Sequence, residues 1–454
     1  MSANIDPFKP VVIQATGDAG RRLELHVLPY GLTVHRLIVT SSSSKTKQHD
    51  VIVCPEAERD HHARGRNFLS PIVGRYANRL PAGKSTYIDA KRQGQQHSVD
   101  LPKWGGDDIC HHGGPVMTSS DEPAAIPIGE VPMQKGPLDR LVWTLVNARD
   151  SQLFQKEVDS NSNSIACFAL NSAAGSNGLP CDLRIEARFE VSPKGTHGEG
   201  KSSGGSDLGA SNGTVRVEYR AQILSGSKGT AADVTPLNLT HHWGFNLSAS
   251  DLEAAAKEQG RIDEHLLRMH SPQTSPLQRL ELDARGVPTG KLIPCPPGDS
   301  AGHGFSAEGS GKRIGESLPQ GGYDHFYTWG PANTDAVVTA LRAPSTGLAL
   351  TFKTNQSGVQ FYSANGQPVP SGPQNRVDAA SSGGAKKKAH RHLPGESEDT
   401  ANGIANRSAA FLEFSHPHAT FLKPEFQEFI GGEDTLLRAG ETYSNWCEIG
   451  VWAQ

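Results

Sequence analysis

The chain has little cysteine and no cysteine framework. Its 454 residues include 6 cysteines, which are scattered and form no CxxC pair. Neither a disulfide scaffold nor a motif of paired cysteines is therefore indicated. Isolated cysteines of this kind are typical of reduced, structural thiols.

Long hydrophobic runs are missing as well. No segment approaches the roughly 20 apolar residues of a membrane-spanning helix, and residues 1–10 lack the apolar core of a secretion signal. We therefore expect a cytoplasmic protein that does not bind membranes. The formal net charge of −4 provides no strongly basic surface, which argues against a nucleic-acid partner.

Several motifs of enzyme chemistry are absent. The sequence has no Gly-rich phosphate loop and no GxSxG elbow, which removes most support for nucleotide chemistry and serine hydrolysis. It also has no HExxH motif and no EF-hand. Histidines occur instead as adjacent pairs, at positions 61–62, 111–112 and 241–242, and adjacent pairs are not the usual zinc spacing. We expect no metal site and no cofactor.

The patterns that are present favour an all-β fold. Gly (49 residues) and Pro (30 residues) are abundant, and one convincing helical stretch occurs, residues 251–258, with Ser250 or Asp251 as its N-cap. Period-two alternation, typical of half-buried strands, recurs in Leu23–Leu28, Leu183–Val191, Thr214–Ile223, Ala336–Leu341, Leu348–Phe352 and Val359–Tyr362. Strands follow strands without helices between them, which predicts a large antiparallel β-sandwich.

Three segments look like insertions into this scaffold. Residues 115–140, 193–213 and 366–408 are rich in small, polar or proline residues. Such segments bury little apolar surface and are predicted to be flexible surface loops. We expect residues 1–454 to form one domain that carries them.

The stretch Asn238–Leu247 carries two adjacent histidines in what reads as a buried strand. Neighbouring strand residues point to opposite faces, so only one of His241 and His242 can face a given pocket. Histidine titrates near neutral pH and suits proton transfer. A satisfied core histidine is an equal alternative for this stretch taken alone.

Further polar groups stand beside strands. Asn78 and Arg79 suit hydrogen bonding to hydroxyl or carboxylate groups, although an arginine that ties loops together explains them equally well. His112 precedes two glycines that would allow a ligand to approach the backbone. Asp324 lies among aromatic residues, and Glu413 lies within an apolar strand, where an unpaired carboxylate is costly and function is favoured.

The order of these motifs closely resembles that of the aldose 1-epimerase (galactose mutarotase) family. Asn-Arg is followed by His-Gly-Gly, Asn-Leu-Thr-x-His, Tyr-Asp-His, Gly-x-Gln-Phe-Tyr and Leu-Glu, from about Phe68 to Tyr443. Each motif alone is weak, but six in this order are specific. The resemblance implies the galactose mutarotase-like supersandwich, a large antiparallel β-sandwich.

The resemblance also implies roles for individual residues. His242 matches the catalytic acid, Glu413 the catalytic base and His112 the second active-site histidine. The positions that match sugar-binding or pocket-lining residues are Asn78, Arg79, Asp324, Gln360 and Phe361.

The implied function is the interconversion of the α and β anomers of a free hexose, glucose or galactose, by acid–base ring opening and closure. A monosaccharide would be the only partner of a monomer or weak dimer. Two alternatives stay open: a hexose-6-phosphate 1-epimerase, which needs extra cations, and a non-catalytic sugar-binding or regulatory protein.

This sequence departs from the family pattern at three places. The family usually has Asn at His241, Ser-Tyr at Trp243 and Gly244, and Thr-Gln-x-x-Pro-Asp after the glutamate, where this chain has Phe414–His418. We expect these changes to affect the sugar preference more than the reaction.

Overall fold

The computed structural model describes residues 4–41, 48–63, 66–116, 123, 125–147, 150–155, 163–194, 210–224, 233–269, 276–306, 311–365 and 406–453. In the first half of the chain the strands are β1 (Asn4–Ile5), β2 (Val11–Thr16), β3 (Arg22–Leu28), β4 (Thr33–Thr40), β5 (Gln48–Asp50), β6 (Ile72–Val73), β7 (Arg79–Pro81), β8 (Gly83–Asp89), β9 (Gln95–Leu101), β10 (Ile109–His111), β11 (Ile126–Pro127), β12 (Met133–Gln134), β13 (Thr144–Val146), β14 (Ile165–Ser172), β15 (Leu183–Ser192) and β16 (Ala210–Ile223).

The second half adds β17 (Val234–Pro236), β18 (Thr240–His241), β19 (Trp243–Phe245), β20 (Leu266–Met269), β21 (Gln278–Leu282), β22 (Pro288–Pro294), β23 (Lys312–Arg313), β24 (Asp324–Thr328), β25 (Thr339–Ala343), β26 (Leu348–Thr354), β27 (Gly358–Tyr362), β28 (Ala410–Ser415), β29 (Leu436–Arg438) and β30 (Tyr443–Ala453). The α-helices among the described residues are short: α1 (Asp60–Ala63), α2 (Leu252–Lys257) and α3 (Pro424–Phe429). Single 3₁₀ turns occur at Asp18–Gly20, Ala90–Arg92, Leu138–Arg140 and Thr420–Leu422.

Two large sheets dominate the described part of the chain. A ten-stranded sheet runs β12-β14-β15-β16-β30-β26-β25-β20-β23, with β13 beside β14, and a six-stranded sheet runs β19-β28-β27-β24-β21-β22. Within these sheets the pairs are antiparallel, apart from β12 with β14. A four-stranded sheet, β2-β3-β4-β5, packs beside them.

Aromatic contacts between the two large sheets show that they form a sandwich. Phe352 of the ten-stranded sheet lies 5.7 Å from Phe245 and 5.1 Å from Phe414 of the six-stranded sheet, between ring centroids. One hydrophobic cluster includes all three and reaches the four-stranded sheet. Face-to-face packing of two sheets around such a core is the sandwich architecture. The predicted all-β antiparallel sandwich is confirmed.

The long strands follow the alternation of the sequence. In β16, Val215, Val217 and Tyr219 are buried in the core, while Arg216 and Glu218 on the other face form an ion pair. This period-two pattern is what identified the strands. The predicted helix is confirmed as α2, since the Asp251 carboxylate accepts from the backbone N–H groups of Glu253 and Ala254.

The predicted insertions lie partly outside the described residues. The described ends of the first two belong to the scaffold: residues 133–134 form β12, Leu138 is fully buried, and residues 210–213 begin β16. Residues 195–209 and 366–405 lie outside the described part, where insertion stays a prediction. Among the described residues, no helix is both long and apolar enough to span a bilayer.

Candidate active site

The register of the six-stranded sheet brings four distant residues into one row. Trp243 lies opposite Leu412, which places His242 opposite Glu413. Glu413 pairs with Gln360, and Gln360 pairs with Phe326. Directly opposed residues of antiparallel strands share a face, so these four side chains lie on the face turned away from the sandwich core.

His242 stands at a break between two strands. The chain pairs with β6 through β18 and then with β28 through β19, and His242 lies between the two segments. Its backbone N–H donates to the Pro71 carbonyl at 2.9 Å. The histidine is therefore held from both sides in a fixed orientation.

His242 and Glu413 form a buried pair. His242 Nε2 lies 3.2 Å from Glu413 Oε1, and both side chains are almost fully buried. Burial raises the pKa of Glu413 well above its ordinary value, the Asp324 carboxylate adds to the rise, and Arg79 opposes it. Burial lowers the pKa of His242 to about 4. Both shifts favour the uncharged forms, because an isolated charge is costly in a buried site.

The pair also presents unused hydrogen-bonding atoms. Within the described residues, Glu413 Oε2 and His242 Nδ1 are buried and have no hydrogen-bond partner, and the same is true of Gln360 Oε1. Buried polar atoms in native proteins nearly always have partners. Three such atoms on one face indicate that a polar ligand provides their hydrogen-bond partners.

His112 is oriented by a backbone donor. The N–H of Asn78 donates to His112 Nδ1 at 3.1 Å, so the neutral ring carries its proton on Nε2. Burial lowers the pKa of His112 well below its ordinary value. Asn78 and His112 both have left-handed backbones, with φ of 64° and 45°. Such strained conformations concentrate at functional sites.

His112, His242 and Glu413 converge on one point. One ligand atom from each lies within 4.8 Å of the others. The Phe68 ring covers this point, with its centroid 4.6 Å from that of His112 and 5.8 Å from that of His242. Two imidazoles and a carboxylate can exchange protons with a ligand, and the same donor set could hold a divalent cation.

Asp324 forms a polar clamp at the rim with Arg79 and Gln360. Arg79 Nη2 donates to Asp324 Oδ2 at 2.7 Å, and Gln360 Nε2 donates to Asp324 Oδ1 at 2.6 Å. Asn78 Oδ1 accepts from Arg79 Nη1 at 3.5 Å. Asp324 is 40% exposed, so its carboxylate is within reach of a ligand from solvent. The clamp offers both donors and acceptors, as recognition of several hydroxyl groups requires.

The prediction that Phe361 lines the pocket is wrong. Adjacent strand residues alternate between faces, so Gln360 and Phe361 cannot both point into it. Phe361 is fully buried in the core, with its ring 5.0 Å from Tyr323 and 5.7 Å from Phe305. The structure brings the other seven predicted residues together around the pair and the clamp.

The two adjacent histidines separate as strand alternation predicts. His241 faces the core, where its Nδ1 lies 2.6 Å from Tyr219 Oη, and burial lowers its pKa to about 3. Trp243 also faces the core and stacks on Phe245. His241 and Trp243, two of the residues that depart from the family pattern, therefore do not lie at the pocket wall.

Gly244, in contrast, lies on the pocket face. A Cβ atom added there would lie 2.5 Å from Phe411 Cε1. The Phe411 ring lies 4.9 Å from that of His242 and stacks on Tyr362 at 5.7 Å. Phe411 thus forms the wall beside His242, and Gly244 leaves the space for it.

The sequence motifs do not predict three aromatic or histidine side chains at the site: Phe68, Phe411 and His418. His418 is buried beside Phe326, with ring centroids 5.5 Å apart. Within the described part of the chain neither of its ring nitrogens has a hydrogen-bond partner. The available signal was its position in Phe414–His418, directly after the candidate base.

Comparison with known proteins agrees with this geometry. The family model "Aldose 1-epimerase" matches residues 207–449. The galactose mutarotase of Rattus norvegicus is 23% identical over 347 residues, which cover 76% of this chain and 75% of that protein. The corresponding values for the Homo sapiens galactose mutarotase are 22%, 346 residues, 76% and 75%.

Solved structures show the same fold. The C. elegans GalM/aldose epimerase homologue has a TM-score of 0.63 and 18% identity, and the match covers 98% of this chain and 99% of that one. The galactose 1-epimerase of Lactobacillus acidophilus gives 0.57 and 18%, with coverage of 97% and 93%. The family model extends over more than half of the 454 residues, from β16 through both candidate proton carriers to the last strand. The chain therefore belongs to the aldose 1-epimerase family.

Proposed function

We propose that this protein is an aldose 1-epimerase that interconverts the α and β anomers of a free hexose, glucose or galactose. The observation that carries the proposal is the buried pair of proton carriers, His242 and Glu413, whose Nε2 and Oε1 atoms are 3.2 Å apart. Opening a pyranose ring requires one group that removes a proton and one that supplies a proton. Relatives named galactose mutarotase support the same reaction class.

The reactive form of the pair is a Glu413 carboxylate with a His242 imidazolium. It contains the same number of protons as the uncharged pair that burial favours. One proton transfer between Oε1 and Nε2, over 3.2 Å, therefore interconverts the two forms. In the charged form, Glu413 Oε2 could accept from one sugar hydroxyl group and the protonated His242 Nδ1 could donate to another. Both atoms lack partners among the described residues, so such bonds would stabilise the charged form.

Ring opening then proceeds with balanced protons. Glu413 takes the proton of the anomeric hydroxyl, and the O–H electrons form the carbonyl at C1. The bond from C1 to the ring oxygen breaks, and that oxygen takes the proton of His242. After rotation about C1–C2 the roles reverse, and closure on the other face of the carbonyl gives the other anomer. Each positioned proton transfer contributes about 10²–10⁴-fold to the rate.

His112 and the clamp hold the sugar in place. Because His112 Nδ1 accepts from Asn78, its Nε2–H is available to donate to the ring oxygen and to polarise it. Asp324 and Arg79 would bind vicinal hydroxyl groups at the rim. Fixing the sugar in this way removes orientational freedom before the chemical step.

The surroundings favour a free hexose over a hexose phosphate. Arg79, the cation of the clamp, is already paired with Asp324 at 2.7 Å. Arg66, whose Cζ lies 4.6 Å from the Phe68 ring centroid, is paired with Asp139 at 2.6 Å and donates to two backbone carbonyls. A phosphate dianion needs cations that are not already neutralised.

Polarimetry of fresh α-D-glucose, α-D-galactose and glucose 6-phosphate tests the proposal. The wild-type protein should accelerate mutarotation of a free hexose more than that of the phosphate. Glu413→Gln, which keeps the shape of the side chain, should lower the rate by about 10²–10⁴-fold. Sugar binding without any acceleration would instead support a non-catalytic sugar-binding protein.

A further inference from the structure

A second cluster, made of two histidines, a cysteine and a glutamate, lies around the short helix α1 and shares no residue with the group of His112, His242 and Glu413. His35 lies on β4 and His61 lies on α1, while Cys54 and Glu58 lie between β5 and α1. One ligand atom from each of His35, Cys54 and His61 lies within 4.8 Å of the other two. His35 and Cys54 are buried, and His61 is half-buried.

We propose that His35, Cys54 and His61 bind a zinc ion whose fourth ligand is water, with Glu58 as the outer partner of His35. His35 Nδ1 and His61 Nε2 are 3.1 Å apart. Two nitrogens bound to one tetrahedral zinc, each at about 2.0–2.1 Å, are separated by about 3.3 Å. Binding would therefore need only a small adjustment of these side chains. Thiolate and imidazole together are a donor set that selects zinc.

The position of Glu58 supports the assignment. If His35 binds through Nδ1, its other nitrogen, Nε2, carries the proton. That nitrogen lies 3.6 Å from Glu58 Oε1. Zinc-bound histidines usually donate their second N–H to a carboxylate, which fixes the ring and strengthens the bond to the metal.

One ligand of the cluster lines a cleft, and hydrogen bonds hold the backbone of His61 and the thiol of Cys54. His61 lines a small cleft together with Asp60 and Arg140, which offers a route for the ion. The His61 carbonyl accepts from Arg140 Nη1 at 3.3 Å. The Cys54 thiol points at the Val34 and Leu69 carbonyls at 3.4 and 3.6 Å. It would lose its proton on binding, as any zinc-bound cysteine does.

The site would join β4, the segment that carries Cys54, and α1. His35 belongs to a strand of the four-stranded sheet, His61 to α1, and Cys54 contacts Leu69, which follows Phe68. Phe68 covers His112 and His242. A zinc ion here would thus stabilise the segment that supports the active-site cover. A metal ion that binds the folded chain but not the unfolded chain raises the stability of the fold.

Titration of chelator-treated, desalted protein with Co²⁺ tests the proposal. The wild-type chain should bind Co²⁺ at this cluster and show thiolate-to-cobalt charge-transfer absorption. Cys54→Ser should abolish that absorption, and His61→Ala should weaken binding by about tenfold or more. Glu58→Gln should weaken it by about 10–100-fold. Zn²⁺ should displace Co²⁺ and raise the unfolding temperature of the wild type but not that of Cys54→Ser.

Two controls make the outcome specific. His62→Ala removes the neighbouring histidine, whose Nδ1 contacts Tyr30, and should leave the absorption unchanged. His242→Ala disables the sulfur-free donor set of the proposed active site and should also leave it unchanged. An absorption band that is absent in the wild type, or that persists in Cys54→Ser, would overturn the site. Unaltered Co²⁺ affinity in His61→Ala would overturn it even if Cys54→Ser does not fold.

Discussion

Gly244→Ala should lower both the free energy of unfolding and the mutarotation rate, because it displaces the Phe411 ring. Gly244 lies opposite Phe411 on neighbouring strands, and the new Cβ would lie 2.5 Å from Cε1 and 3.0 Å from Cδ1 of that ring. Carbon atoms in contact are normally about 3.5–4.0 Å apart, so the ring must move by about 1 Å. Phe411 is 1% exposed, and its ring packs against those of His242 and Tyr362.

The magnitude follows from this overpacking. Inserting a methyl group into a filled site costs about 1–3 kcal/mol, which urea unfolding of wild type and variant measures. The displaced ring would press on His242, whose ring centroid lies only 4.9 Å away. A misplacement of about 1 Å in a catalytic group can lower the rate by about 10²-fold, which polarimetry measures as kcat.

A compensating substitution provides the control. Phe411→Leu shortens the ring that the new methyl group meets, so Gly244→Ala combined with Phe411→Leu should recover part of the lost unfolding free energy. Two results would refute the reasoning. One is an unchanged free energy of unfolding and an unchanged rate in Gly244→Ala. The other is a double variant whose loss is the full sum of the two single losses.

Three further substitutions test other parts of the site. Asp324→Asn removes the charge of the clamp and should raise KM for the sugar by about 10-fold or more, whereas an unchanged KM in polarimetric assays would remove Asp324 from sugar binding. Phe361→Ala should lower the free energy of unfolding by about 3–5 kcal/mol with KM unchanged in the folded fraction, and a selective rise in KM would return Phe361 to the pocket. Burial lowers the pKa of His418 from 6.5 to about 3, so its contribution to stability is present above pH ~6.5 and is lost as pH falls towards 3. Urea unfolding of His418→Asn between pH 6.5 and 4 should therefore show a shallower pH dependence, by about one proton, and a slope equal to that of the wild type would contradict the shift.

The sequence predicts the sandwich well because burial on one face imposes period two. Strands such as β3 and β16 show that pattern directly. The helix α2 was equally visible, since its cap residue and its alanines are local signals. The ends of the predicted insertions were less accurate, because polar and small residues also occur in paired strand ends such as residues 210–213.

The proposed site illustrates what motif order can and cannot provide. His242, Glu413 and His112 are predicted from their motifs, and the register explains why His242 and Glu413, so far apart in sequence, meet. Phe361 was misplaced because a motif names a stretch and not a face. Applying the alternation used for His241 and His242 to Gln360 and Phe361 would have corrected it.

The sequence does not predict the two clusters in which one histidine of an adjacent pair meets residues from other segments. Adjacent histidines argued against a metal site, yet His61 meets His35 and Cys54, while His112 meets His242 and Glu413. In each case one histidine of a pair joins residues from other strands. Only the tertiary fold supplies those neighbours.

The central claim is that His242 and Glu413 act as one proton-transfer pair. The most direct test is a double-variant cycle of the mutarotation rate, measured by polarimetry on wild type, His242→Asn, Glu413→Gln and the double variant. The account predicts that each single substitution lowers the rate by about 10²–10⁴-fold and that the double variant is no slower than the slower single variant, since groups that act as a unit are not additive. Wild-type rates in either single variant, or losses that multiply in the double variant, would contradict it.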